Sequence, residues 1–402
     1  MPKRSLFKMI FGEKQKQEYL TQVEMLGDYN SRFSILSSEI YDTKVARQCI
    51  DRLAVHTAKL MPKHIKGKAN VNIQGDINYL LSHKPNPINN TYDFLYRIRS
   101  QYESNSNAYV FIEKNRQGFI TGFYPIVAKE EQLLEDKSGK LVLKFKFVDN
   151  QVYYANYSNL IHLRKFYNRN DIFGESNNIL KTDLETSVVA SEGITNAVKS
   201  TANLRGILKF QNAYLKDEDI QASQERFVKA FVNKNNKSGI GVLDGKADFQ
   251  AIKLDPIILD KDQLDRVNNN IYEYFGVNEH IITNNYNNVE WNAFFEGAIE
   301  PFAIQMSYEF TNKIFSEQAI REGNQIIFST NRLQYANLDS KINLIKTLAS
   351  YGMLKVDEAR EIIDMIPLGG EDGNRILQSL NNIDSTIANT YQGGNNNDGK
   401  GD

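Results

Sequence analysis

The side chains that most often catalyse reactions or bind metals form no recognisable catalytic pattern in this sequence. Its five histidines, at positions 56, 64, 83, 162 and 280, include no HExxH pair, and the single cysteine rules out a cysteine-based zinc site. Neither a phosphate-binding GxxxxGK[ST] loop nor a GxSxG nucleophile turn is present. The sequence therefore predicts no catalytic residue, no metal site, no cofactor and no enzymatic activity.

Two further polar clusters each allow a functional and a structural interpretation. Asp260, Asp262 and Asp265 could bind a metal ion, but they lie at a predicted helix start, where acidic side chains are favoured in any case. The segment PLGGEDG at 367–373 could bind an anion, but it lacks the flanking strand and helix of a phosphate loop. We interpret the first cluster as helix capping and the second as a turn between helices.

A polar, uncharged run, NNYNN at 284–288, lies directly before an apolar segment. Asparagine donates and accepts hydrogen bonds without a fixed charge, and Tyr286 offers a ring that can stack. Because asparagine tolerates left-handed backbone angles, the run could be an ordinary exposed linker. The apolar segment could pack in the core or against a neighbouring subunit, through Trp291, Phe294, Phe295 and Phe302.

Composition indicates a folded chain without a strong basic field. The 402 residues are 41% hydrophobic and carry a formal net charge of -1, so two or more domains are expected and tight binding of nucleic acid by overall charge is not. The single cysteine, Cys49, excludes an intramolecular disulfide, indicates a reducing compartment and has the helical spacing of a buried residue. No segment has transmembrane length, so we expect synthesis in the cytoplasm and no membrane partner.

The elements that must position the NNYNN run alternate between helical and strand-like patterns. Apolar periodicity predicts helices at 42–61, 178–203, 216–233, 261–275, 290–316 and 338–385. Residues rich in β-branched and aromatic side chains predict strands within an α/β domain at 31–175, a small α/β module inserted at 206–256, and a strand at 325–330. Pro301 falls inside the helix after NNYNN and predicts a kink or a helix restart there.

The two ends of the chain differ in composition from the rest. Residues 1–30 form a basic N-terminal arm, which is either simply solvated or contacts an acidic partner such as a neighbouring subunit or nucleic acid. Its cationic residues include Lys3, Arg4, Lys8, Lys14 and Lys16. Residues 387–402 are of low complexity and are predicted to be a disordered tail.

Six segments, taken in order, resemble the portal proteins of tailed bacteriophages, specifically the HK97-type branch. They are VARQCIDRLAVHTAKLMPKH (45–64), LLSHKPNPINNTYDF (80–94), NAYVFIEKNRQGFITGFYPI (107–126), IYEYFGVNEHII (271–282), NNVEWNAFFEGAIEPF (287–302) and LASYGMLKVDEAREIIDMIPLGGED (348–372). Each phrase alone is weak, but their shared order and spacing cover nearly the whole chain and are specific.

The resemblance implies an α+β portal fold and a ring-shaped homo-oligomer, usually a dodecamer, at one capsid vertex. Double-stranded DNA would pass through the ring during packaging and ejection. The partners implied are the terminase large subunit, head-completion or adaptor proteins, and the major capsid protein and scaffold. The protein would act in the virion after assembly in the cytoplasm of the bacterial host, and an origin in a prophage stays open.

The resemblance also implies a role for each part of the chain. The α/β wing would be 31–175, the long-helix stem 176–205 and 257–278, the clip 206–256, the tunnel loop 279–289, the kinked spine helix with its return strand 290–334, and the α-helical crown 335–386. Thr283, Asn284, Asn285, Tyr286, Asn287 and Asn288 would line the DNA channel, and the four aromatic residues named above would anchor the spine helix.

Two departures from the family pattern are visible. Asn278 replaces a common proline before the tunnel loop, which we expect to loosen the entry to that loop. Lys355 stands where a Thr or Ser helix cap is common, partly offset by Asp357 and Glu358. The alternatives from other classes are a capsid-associated nuclease, which would need a convergent carboxylate or histidine cluster, and an oligomeric nucleic-acid-binding scaffold that is not a portal.

Overall fold

The computed structural model of the chain describes residues 20–22, 32–33, 40–67, 71–201, 206–210, 221–222, 225, 247–251, 260–329, 338–363 and 365–376. The chain divides into two compact units, Met1–Phe328 and Ser329–Asp402. The basic arm, apart from three residues, and the predicted disordered tail lie outside the described residues.

The strands are β1 (Leu20–Gln22), β2 (Arg32–Phe33), β3 (Met61–Lys66), β4 (Val71–Asn72), β5 (Asn107–Lys114), β6 (Ile120–Ile126), β7 (Glu130–Asp136), β8 (Leu141–Lys146), β9 (Val152–Asn156), β10 (Leu160–Arg164), β11 (Gly206–Phe210), β12 (Ala247–Ala251) and β13 (Asn324–Ser329). The helices are α1 (Lys44–Thr57), α2 (Asp76–Ser82), α3 (Thr91–Asn105), α4 (Lys181–Thr201), α5 (Lys261–Phe275), α6 (Glu279–Thr283), α7 (Asn288–Phe294), α8 (Glu300–Ile314), α9 (Glu317–Arg321), α10 (Leu338–Ser350), α11 (Val356–Ile362) and α12 (Gly370–Asn374).

Helix α3 packs against the sheet β10–β5–β6, and helix α1 packs against α3, so the three together form the main core. Each helix is apolar along one face, so α1 buries Ile50 and Leu53 while α3 buries Phe94 and Ile98. All strand pairs in this sheet are antiparallel. Helices segregated from antiparallel sheets define the α+β class, so the predicted fold class is confirmed.

Two larger sheets accompany it, besides the two-stranded sheet β11–β12. In the first, both β1 and β2 pair with β7, β7 pairs with β8, and β8 pairs with β9. In the second, β3 pairs with β13 on one side and with β4 on the other. The inner face of the first of these sheets carries Leu143 and Phe145, and the Phe145 ring contacts Tyr109 with centroids 5.3 Å apart. The predicted strand at 325–330 is confirmed as β13.

The long helices α4 and α5 pack side by side and antiparallel. The Tyr274 hydroxyl donates to Asn177 Oδ1 at 2.6 Å, and farther along Ser187 Oγ donates to Asn268 Oδ1 at 3.2 Å. The helices predicted at 178–203 and 261–275 are therefore confirmed. Between them β11 pairs antiparallel with β12. The helix predicted at 216–233 lies, except for three residues, outside the described part of the chain.

A buried cluster of charges joins α3 to the chain just after β10. The carboxylate of Glu103, 1% exposed, accepts from Arg99 at 2.7 Å and from Lys165 at 2.6 Å. Burial alone would raise the pKa of Glu103, but the two cations hold it below its usual value. Arg99 also donates to the carbonyl oxygen of Ala298 at 3.1 Å, so the cluster reaches the segment that links α7 to α8.

Of the two alternatives predicted at Pro301, a kink or a helix restart, the structure shows a restart. Helix α7 ends at Phe294, a π-helical turn spans Phe295–Ile299, and α8 begins at Glu300 with Pro301 in its first turn. Proline has no N–H to donate to the preceding turn, and a wider π turn is a common way to accommodate that loss.

The second unit contains α10, α11 and α12. The carboxylate of Asp357 accepts from the backbone N–H of Leu368 at 2.7 Å and of Gly369 at 3.0 Å. These N–H groups are therefore occupied within the chain. Residues 367–369 form the predicted turn between α11 and α12, whereas Gly370–Gly373, predicted as part of that turn, belong to α12. Before α11, Glu358 accepts from the backbone N–H of Lys355 at 2.9 Å, which offsets the missing Thr or Ser cap.

Candidate functional site

The polar run before α7 is a short turn whose two ends are both capped. Asn278 Oδ1 accepts from the Ile281 N–H at 2.9 Å and so caps the start of α6. Asn284, the residue after α6, has the left-handed conformation, with φ 58°. The Asn278 side chain thus satisfies a free N–H of the helix, which offsets part of the loosening expected from the absence of proline. Within the predicted loop at 279–289, only residues 284–287 lie outside helices.

Asn287 begins α7 with a reciprocal cap. Its Oδ1 accepts from the N–H groups of Val289 and Glu290, both at 2.9 Å, and the Glu290 carboxylate accepts from the Asn287 N–H at 2.9 Å. This is the capping box that an N-x-x-E sequence signals. Asn287 therefore has a structural task, whereas no described residue hydrogen-bonds to the side chain of Asn285 or of Asn288.

Replacing Asn287 with alanine should lower the free energy of unfolding by about 1 kcal/mol, because the first turn of α7 loses its acceptor. Asn288→Ala is the matched control, since the neighbouring side chain is exposed and caps nothing. Urea unfolding, followed by the fluorescence of Trp291, the only tryptophan, measures the free energy of unfolding of both variants. Equal midpoints for the two variants would contradict the cap.

An ion pair closes the turn from outside. His280 Nδ1 lies 2.5 Å from Glu290 Oε1, so α6 and α7 are linked directly. The hydrogen bond to Glu290 raises the pKa of His280, and the backbone N–H of Asn287 and the His280 ring lower the pKa of Glu290. Because the pKa of His280 is raised, its protonated ring stabilises the turn at low pH, and this stabilisation is lost as the pH rises through the raised pKa. Because the pKa of Glu290 is lowered, its carboxylate stabilises the turn at higher pH, and this stabilisation is lost as the pH falls through the lowered pKa.

Replacing Glu290 with glutamine should therefore bring the pKa of His280 down towards 6.5, its ordinary value. Histidine hydrogen–deuterium exchange followed by mass spectrometry measures this pKa in assemblies of any size. His83, which lies elsewhere on the surface, serves as the internal reference. A pKa of His280 that is the same in both proteins would show that the pair does not form in solution.

Tyr286 is stacked on the chain's own Trp291, with ring centroids 5.3 Å apart. Trp291 in turn contacts the buried His56 of α1 at 4.9 Å. Burial and the nearby Lys59 and Arg52 cations lower the pKa of His56 to about 4. Arg52, also in α1, donates to the carbonyl oxygen of Ile282 at 3.1 Å. Helix α1 thus holds both flanks of the turn.

The aromatic residues after the turn face this chain's own core. Phe294, Phe295 and Phe302 are between 3% and 7% exposed, and Trp291 is half-buried. Phe302 lies under Arg99, whose guanidinium carbon is 4.4 Å from the ring centroid. For the three phenylalanines, the structure shows the core-packing alternative.

The chain around the turn is acidic. Residues 267–312 contain no lysine or arginine, but they contain glutamates at 273, 279, 290, 296, 300 and 309. Thr283, Asn284, Asn285, Tyr286, Asn287 and Asn288 are all exposed. Sequence reasoning singled out these six but missed His56, Arg52, His280 and Glu290. Of the missed residues, Glu290 could have been found from the N-x-x-E pattern.

The described residues were also compared with the requirements of metal binding and of membrane crossing. No group of three or more His, Cys, Asp or Glu residues there is arranged to hold a metal ion. None of the described helices is long and apolar enough to cross a membrane.

Solved structures of particle necks share this fold. The chain aligns with a protein from the neck of an empty gene transfer agent particle with a TM-score of 0.61 and 14% identity, covering 82% of this chain and 94% of that one. A protein from the neck of a native gene transfer agent particle, computed with C12 symmetry, aligns with a TM-score of 0.58 and 13% identity, covering 86% and 96%. The chain therefore shares the fold of these two proteins.

Sequence comparison gives the family. The family described as phage portal protein matches residues 44–364, which is most of the chain. A probable portal protein of Lactococcus phage p2 is 28% identical over 150 residues, 35% of this chain and 39% of that relative's length. The chain belongs to the phage portal protein family, and the sequence-based prediction of that family is confirmed.

Proposed function

We propose that this chain is the portal subunit of a tailed phage particle, forming a ring at one capsid vertex through which double-stranded DNA passes. The family match over residues 44–364 carries the proposal. The neck of the native gene transfer agent particle, computed with C12 symmetry, supports a ring of twelve copies. In this role the protein acts in the virion after assembly in the host cytoplasm, and it catalyses no reaction.

The predicted roles of the segments enter the same proposal. The wing is 31–175, the stem 176–205 and 257–278, the clip 206–256 and the crown 335–386. Terminase large subunit and, later, head-completion or adaptor proteins would dock on the clip, while the major capsid protein and scaffold would surround the wing. Residues 283–288 would line the narrowest part of the channel.

The chemistry of the turn suits a channel in which DNA must keep moving. Each lysine or arginine that neutralises a phosphate adds salt-sensitive affinity, and a ring multiplies each contact by its copy number. The turn has no such side chain, and the stretch 267–312 around it is acidic. Capped ends and the stacked Tyr286 would keep the turn in one shape while DNA slides past.

Cryo-electron microscopy of the purified protein, processed first without imposed symmetry, tests the proposal. The expected result is a closed ring with residues 284–288 nearest its axis and a native mass that is a multiple of 46.1 kDa. Monomers or dimers at working concentration would overturn the portal role. A ring with the turn directed away from the axis would overturn the channel role alone. Incubation with DNA and Mg²⁺ should leave the DNA uncut, whereas metal-dependent cleavage would favour a nuclease.

A further inference from the structure

An uncharged stripe runs along the outer side of α7, the π turn and α8. Val289, Ile304 and Tyr308 are 76%, 50% and 69% exposed. Smaller exposed residues fill the positions between them, namely Ala293, Gly297 and Pro301. A Cβ added at Gly297 would meet nothing within 4 Å, so this side of the helix is open in the chain.

The π turn brings the stripe onto one side. Steps of four residues overshoot a full α-helical turn by about 40° each, so the three steps from Val289 to Pro301 would drift round the helix by about 120°. A π turn holds more residues than an α turn, which removes part of this drift. The final steps, of three and four residues, keep Ile304 and Tyr308 on the same side.

We propose that this stripe is the surface of the spine helix that packs against the next copy of the chain. This proposal rests on the ring proposed above. The stripe begins at Val289, directly after residues 283–288 assigned to the channel, so its helix leads away from the axis. In a closed ring, the two sides of such an element are covered by its own subunit and by a neighbour. The chain's own core covers the side with Phe294, Phe302 and Phe310.

The charges around the stripe favour a protein partner over a polyanion. Glu296 and Glu300 lie beside it, and no lysine or arginine occurs between Arg266 and Lys313. Nucleic acid and anionic lipid headgroups are therefore repelled from this surface. Small residues at 293 and 297 allow close approach of a neighbouring backbone, and the larger side chains at either end supply apolar area.

Glutamate substitutions in the stripe should abolish ring assembly without unfolding the subunit. Ile304→Glu and Tyr308→Glu place a charge on an exposed position, so circular dichroism and the melting temperature should match those of dissociated wild-type subunits. Native mass spectrometry should show the ring fraction reduced at least tenfold. Val148→Glu is the matched control, because Val148 is 85% exposed on the β8–β9 turn, and it should assemble normally.

Cysteine labelling gives a second readout. Burial raises the pKa of the Cys49 thiol to about 12, so a maleimide should react only with an introduced cysteine. Tyr308→Cys should label at least tenfold more slowly in rings than in dissociated subunits, whereas Val148→Cys should label equally in both. The inference would be overturned if the wild type forms rings and the stripe variants also assemble normally and are fully labelled in their rings. That result would leave the portal role intact. Absence of wild-type rings would overturn the portal role itself.

Discussion

Replacing Glu103 with alanine is expected to lower the free energy of unfolding by about 3–5 kcal/mol, the cost of leaving buried cations without their partner. Arg99 is 4% exposed and Lys165 13% exposed, and both share this one carboxylate. Differential scanning fluorimetry should show a melting temperature lower by on the order of 5–10 °C.

An exposed ion pair in the same chain provides the control. Lys181 and Glu185 lie 3.7 Å apart in α4 with more than half of each side chain exposed, so Glu185→Ala should change stability by less than about 1 kcal/mol. The loss of unfolding free energy caused by Glu103→Ala should also become smaller in acid. Because the folded pKa of Glu103 lies below 4.5, its contribution is complete above that pH and is lost as pH falls through the folded value. A melting temperature within 1–2 °C of the wild type at neutral pH would show that the cluster is not buried as described.

Replacing Asn285 with lysine is expected to slow DNA packaging strongly at low salt. Asn285 is exposed and does not have the left-handed backbone of Asn284 or the capping role of Asn287, so a lysine fits without disturbing the turn. If the introduced lysines of four subunits contact DNA phosphates at once, the affinity that they add for DNA should fall by about a hundredfold between 50 and 200 mM salt. Packaging into purified procapsids should therefore be slow at the lower salt concentration and recover at the higher one.

Two further variants separate charge from position. Asn285→Gln keeps the polarity without charge and should package like the wild type at every salt concentration. Val148→Lys adds the same charge far from the proposed channel and should also package normally. Asn287→Lys is a poor probe, because it would remove the cap of α7 together with adding the charge. Equal rates for Asn285→Lys and Asn285→Gln at all salt concentrations would mean that the turn does not face DNA.

The sequence by itself determined the features that depend on neighbouring residues. Helix α5 was predicted at 261–275 because its apolar positions repeat at helical spacing, and β13 because β-branched and aromatic residues cluster there. The helix restart at Pro301 follows from a missing N–H, which is a property of one residue. The family could be recognised because six phrases keep their order along the chain.

Only the tertiary structure decided which distant residues meet. Glu103 and Lys165, or His56 and Trp291, are far apart in sequence, and nothing in a lone charged or aromatic residue indicates its partner. The structure also decided that Tyr286 stacks on Trp291 and that Phe294 faces inward while Val289 faces outward. Such contacts form only when the whole core packs, because burial of one helix face is set by the surface that another element presents.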